Sequence, residues 1–161
     1  MGFTHYINRK ESLPKDKFKL FSKDVRLLLS KSEVPFKYYS DTEEHEGFKA
    51  TDEEINFNGV GEDGHENVYI VPNDPSFSFC KTARKPYDKY VVAVYILGNL
   101  HFKDDFKVSS NGDIDDLQDG LDLVNELFNY NVKIEEGTDN FKITSQTPDV
   151  VTEEQFLKDI S

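Results

Sequence analysis

The stretch Tyr90-Val-Val-Ala-Val-Tyr-Ile-Leu97, continuing to Leu100, is apolar on every face. A segment without a polar side must be covered from all directions, so the rest of the chain has to wrap around it. Pattern alone leaves a buried strand or a buried helix. Pro86, four residues before the run and suited to a first helical turn, and the length of the run favour the helix. The other segments are amphipathic and suited to covering it. Phe18, Phe21, Val25, Leu28 and Leu29 recur at helical spacing, predicting a helix capped by Ser12, with Pro14 in its first turn, that ends near Lys31. Leu117, Leu121, Val124, Leu127 and Phe128 predict another helix from Ile114 despite Gly120, and Thr152 with Gln155 suggests a terminal helix to Ile160.

Short alternating runs supply the strands: 3–7, 55–59, 68–71, 77–80 and 106–109, with a late hairpin from 132–134 and 141–143. Residues 40–54, SDTEEHEGFKATDEE, read as an acidic connection anchored by Phe48. The elements do not alternate as regular βαβ units. The expected class is therefore α+β: a single domain over residues 1–161, with a mixed or antiparallel sheet packed with three to four helices. Residues 1–100 form its motif-bearing half and 101–161 an acidic half.

Thirteen Phe and eight Tyr supply a core without Trp. No run approaches the ~20 apolar residues of a membrane span, so no membrane partner is expected. The opening MGFTHYINRK lacks the pattern of a secretory leader, and one cysteine suits a reducing compartment, so a cytoplasmic location is expected.

The formal net charge is -12, unevenly spread. Residues 9–37 carry a net +5, 38–79 a net −10, 80–89 a net +3, and 90–161 a net −10. Such a field opposes duplex DNA at long range. A local cationic pocket can still hold a compact anion, because screening separates it from the global field beyond ~8–10 Å. Alternatively, the basic stretches pair with acidic neighbours within the fold.

Three motifs stand out: Gly2-Phe3-Thr4-His5-Tyr6; Phe57-Asn58-Gly59 followed by Gly64-His65-Glu66-Asn67; and Phe79-Cys80-Lys81-Thr82-Ala83-Arg84-Lys85-Pro86-Tyr87-Asp88. Together they resemble a family of small uncharacterised proteins encoded by phages and bacteria, with a GYTHY-like opening, an FNG…GHE element and an FCKTARKPYD stretch. The likeness covers residues 2–88. Phe3 replaces the usual Tyr, and Ile7 an aromatic. No activity comes with the resemblance; it implies positions and a phage or prophage setting.

The residues themselves suggest an anion site. Arg84 offers a planar fork, Lys81 and Lys85 mobile charges, and Thr82 and Tyr87 hydroxyl donors, near an expected helix start. His5, Tyr6, Asn58, His65, Glu66 and Cys80 complete the candidate ligand-binding set. The expected ligand is small and anionic, phosphorylated or nucleotide-like; in a phage setting it would be a host signal or metabolite. An enzyme reading makes Cys80 a nucleophile, its thiol acidified by nearby Lys and Arg, or gives His65 acid–base work. A third reading is an acidic protein–protein inhibitor of a host defence factor, its acidic faces at 38–79 and 113–154 mimicking nucleic acid. No zinc-type spacing, P-loop or EF-hand is complete, so neither metal nor cofactor is expected. Gly59-x-Gly61-x-x-Gly64 matches a dinucleotide string, but a strand follows it, which makes it a hairpin loop. Asp113, Asp115 and Asp116 read as favourable charges at a helix start.

Overall fold

The computed structural model describes residues 3–74 and 77–145; the expected terminal helix lies outside them. The chain forms a single compact α+β domain, as its pattern predicts. At its centre is α2, Asp88–Phe102, in which only the first two residues and Asn99 escape burial. It contacts α1 (Lys15–Ser30), α3 (Gln118–Leu127), β8 (Phe106–Ser110) and β10 (Lys142–Ser145), so its apolar circumference is enclosed. No described helix is long and apolar enough to cross a membrane.

Among the described residues, three antiparallel sheets pack with the helices. The first has the order β7-β1-β8, with β1 at Thr4–Arg9 and β7 at Phe77–Lys81. In it His5 faces Cys80 on one side and Ser110 on the other. The second joins β2 (Phe36–Ser40), β3 (Glu43–Glu46), β4 (Lys49–Ala50), β5 (Ile55–Gly59) and β6 (Val68–Ile70). The late hairpin, β9 (Val132–Glu135) with β10, is the third.

Two local expectations are corrected. Ser12 does not cap α1: it forms an isolated bridge with Asn73, and Pro14 occupies the cap position. The cause is Leu13, 2% exposed, whose N–H donates to the Pro72 carbonyl at 2.8 Å. Burying that side chain holds residues 11–13 extended. The acidic connection at 40–54 is also not a plain loop, because it contains β3 and β4. Tyr38 stacks on His45 at 4.9 Å and Lys37 pairs with Glu44 at 2.8 Å, so cross-strand partners offset the poor strand propensity of glutamate. Phe48 is an anchor as expected, edge-on to Phe36 at 6.3 Å.

Gly120 has a positive use. A Cβ there would collide with Val92 of α2 and lie 2.9 Å from the Lys89 carbonyl. The glycine thus sets the closeness of α3 to α2. The expected helix from Ile114 begins as a 3-10 turn, Ile114–Leu117, before α3.

Candidate functional site

The link from β7 to α2 has an unusual backbone. Thr82 and Ala83 both direct their N–H groups to the Phe3 carbonyl, at 2.8 and 3.4 Å. Ala83 and Arg84 then take the left-handed conformation in succession, φ 51° and 56°. Each costs ~1–2 kcal/mol for a residue with a Cβ, so surrounding contacts must hold the loop. The Lys85 N–H closes it on the Thr82 carbonyl at 3.0 Å, and the Asp88 N–H on the Lys85 carbonyl at 2.8 Å.

That geometry divides the expected site residues into an inner set and an outer set. Inside, Tyr87 is fully buried and its hydroxyl donates to the Glu66 carbonyl at 2.6 Å. The Cys80 thiol faces the same carbonyl at 3.5 Å and lies 3.8 Å from the Tyr87 oxygen. Burial pushes the Cys80 thiol up to about 12, outweighing the hydrogen bond with Tyr87. The acidified nucleophile expected from nearby cations is therefore corrected: desolvation of a thiolate dominates over charges whose ends lie in solvent. Burial likewise raises the Tyr87 hydroxyl. Thr82, also fully buried, gives its hydroxyl to Asp88 Oδ1, so neither expected hydroxyl donor is turned to a ligand.

The FNG…GHE element is a clamp. Buried Asn58 donates to the His65 carbonyl at 3.0 Å and accepts the His65 N–H at 3.1 Å, closing the 59–64 turn. The Glu66 carboxylate accepts the Lys81 N–H at 2.7 Å, tying this element to β7. The His65 side chain is exposed and lines none of the clefts described below. Tyr6 is half-buried beside Phe79, with ring centroids 6.5 Å apart. His5, 1% exposed, lies beneath the loop: Nε2 is 2.7 Å from Asp88 Oδ1 and Nδ1 is 2.9 Å from Ser110 Oγ. Pattern reasoning missed Ser110 as a partner, since only the β1–β8 register brings residues 105 positions apart together.

Outside lies a cleft of about 460 Å³ between the 84–89 segment and the start of α3. Arg84, Lys85 and Lys89 line it, and so do Asp88, Asp115, Asp116 and Asp119. Arg84 is held twice, by Asp116 Oδ1 at 2.6 Å and by the Phe3 ring at 4.0 Å. The hydrogen bond to Arg84 lowers the Asp116 carboxyl and, reciprocally, raises the guanidinium. Asp113 and Asp116 also exchange backbone and side-chain hydrogen bonds across the 3-10 turn, so these aspartates favour the helix start as expected. Among the described residues, Lys85, Lys89, Asp115 and Asp119 have no ion pair. The cationic island is thus partly tied to its own carboxylates; its cations without an ion pair, of which Lys89 lies 5.5 Å from the Tyr90 ring centroid, share the cleft with acids that also have none. Lys81, exposed, does not line it.

A wider depression of about 610 Å³ lies beside the start of α1, lined by Lys15, Asp16, Lys19, Asp52 and Glu53 among others. Those five side chains are exposed, and no expected site residue joins them. No protein family matches the chain, and no characterised sequence or solved structure shows significant similarity to it.

Proposed function

We propose that this protein is a binding module for a small nucleotide-like ligand seated in the cleft between the 84–89 segment and α3. One observation carries the reading: Lys85 and Lys89 share a 460 Å³ cleft with Asp115 and Asp119, and among the described residues none of the four has an ion pair. Ammonium groups suit a phosphate, and carboxylates suit sugar hydroxyls. The strained Ala83–Arg84 turn, pinned through Asp116 and Phe3, supports it as a preorganised rim. With three cations against four carboxylates, the cleft suits a single phosphate better than a triphosphate. In the phage setting implied by the motifs, such capture would sequester a host signal or metabolite in the cytoplasm.

The test is thermal and chemical unfolding with a panel of nucleoside mono-, di- and triphosphates. A binding monophosphate stabilises the fold by ~2.7 kcal/mol at one hundred times its dissociation constant, and Lys85→Glu abolishes the gain. No shift with any member of the panel, at millimolar concentration, refutes the reading.

A further inference from the structure

We infer that Ser110, His5 and Asp88 form a hydrolytic triad that acts on small acyl esters through Ser110, which lies outside the binding cleft that Asp88 helps to line. The Ser110 Oγ lies 2.9 Å from His5 Nδ1, and His5 Nε2 lies 2.7 Å from Asp88 Oδ1. An ionised carboxylate only accepts, so the proton of a neutral imidazole sits on Nε2. Nδ1 is then the nearer acceptor for the serine hydroxyl, at 2.9 Å against 3.4 Å for the Thr4 carbonyl. This is nucleophile, base and orienting carboxylate in series, with the two ring nitrogens exchanged relative to the familiar protease arrangement. Asp88 is a positioning residue, itself fixed by the Thr82 hydroxyl. The rings of Phe3 and Tyr95 pack nearly perpendicular to the imidazole, with centroids 4.9 and 6.3 Å away, and hold it in place.

The serine is half-buried and opens on a separate cavity of about 130 Å³, formed with Glu136, Asp139, Asn140 and Phe141. Backbone register supplies an oxyanion donor. The Asn111 N–H donates to the Thr4 carbonyl at 2.9 Å, which makes His5 and Ser110 a non-hydrogen-bonded pair. The Ser110 N–H therefore points away from β1, to the edge where Phe141 pairs with the Val108 carbonyl at 2.9 Å. That is the cavity side. The Gly112 N–H, 3.0 Å from Oγ, holds the nucleophile.

The chemistry closes with water as the only co-reactant. Oγ bonds to the ester carbonyl carbon while its proton passes to His5 Nδ1. The adduct collapses, the ester C–O bond breaks, and the departing alcohol takes that proton. Water then adds to the acyl-serine carbonyl and gives its proton to Nδ1; the serine C–O bond breaks and Oγ recovers the proton. The cavity admits only a small acyl group, and Glu136 and Asp139 select one that is neutral or carries an ammonium group.

Two probes test this on the full chain. A small alkyl fluorophosphonate adds one phosphonyl group to Ser110, read by peptide mass, and Ser110→Ala abolishes it. Hydrolysis of p-nitrophenyl acetate falls about 100-fold in the same variant. Because His5 variants can lose the fold, Ser110→Cys is the second arm. Its thiol alkylates with iodoacetamide with a pH profile shifted below that of free cysteine, and adding Asp88→Asn moves the profile back. An unlabelled Ser110, or a Ser110→Cys thiol that titrates like free cysteine, overturns the proposal.

Discussion

Arg9 shows how far a single side chain departs from its sequence appearance. It belongs to a basic stretch, yet it is 4% exposed, and its guanidinium donates to four carbonyls: Val71 at 2.7 Å, Pro72 at 2.8 Å, Lys10 at 3.1 Å and Glu11 at 3.3 Å. Burial lowers its pKa, with Asp74 opposing the shift. Its task is to satisfy the backbone where β1 meets the 71–72 segment. Arg9→Met keeps much of the volume but removes a donor from all four carbonyls; Pro72 and Glu11 retain the N–H groups of Leu13 and Asp74, while Val71 and Lys10 lose the guanidinium, so the urea midpoint should fall by the equivalent of ~3 kcal/mol. A loss under ~1 kcal/mol would mean water replaces the guanidinium without cost. Cys80 makes the same point: adjacency to Lys81 promised reactivity, and burial removed it.

At the level of elements, the contact between α2 and α3 depends on Gly120. By intrinsic propensity, alanine in a helix is better than glycine by ~1 kcal/mol. Here the added methyl meets Val92 and the Lys89 carbonyl, and overpacking of this kind costs ~1–3 kcal/mol. Gly120→Ala should therefore lower the melting temperature, whereas an exposed helix would gain. A rise would show that α3 can shift outward freely. The same displacement would widen the cleft, because Asp119 lies in the first turn of α3 and Asp115 and Asp116 in the 3-10 turn that leads into it. The nucleotide binding proposed for that cleft should weaken in parallel.

For the molecule as a whole, alkaline pH tests the burial that organises the fold. The Cys80 thiol is raised to about 12, against ~8.5 in an unfolded chain. Between these values the unfolded state releases a proton that the native state retains. Stability is thus intact below pH ~8.5 and falls as pH rises toward 12, with a slope up to ~1.4 kcal/mol per pH unit from this group. The buried Tyr87, Tyr95 and Tyr130 hydroxyls, all raised chiefly by burial, steepen the fall above pH ~10. Urea titrations from pH 8 to 10 should show this slope, and Cys80→Ala should flatten it.

Hydrophobic periodicity was sufficient for the class of fold, since an all-apolar segment at 90–100 and amphipathic ones around it leave few ways to exclude water. The strands of Thr4–Arg9, Ile55–Gly59 and Phe106–Ser110 were visible for the same reason. Glu43–Glu46 was not, because its partners for stacking and ion pairing lie across a turn rather than along the chain. The 80–88 stretch was recognisable as a special place, but its division was hidden. Whether a residue there faces the core or solvent depends on two left-handed backbone angles and on Phe3, nearly eighty positions away. Local sequence thus determined which segments must be buried. Only the packed chain decided which polar groups meet, because hydrogen bonds such as His5 to Asp88 and Ser110 act over about 3 Å between residues that no local pattern connects.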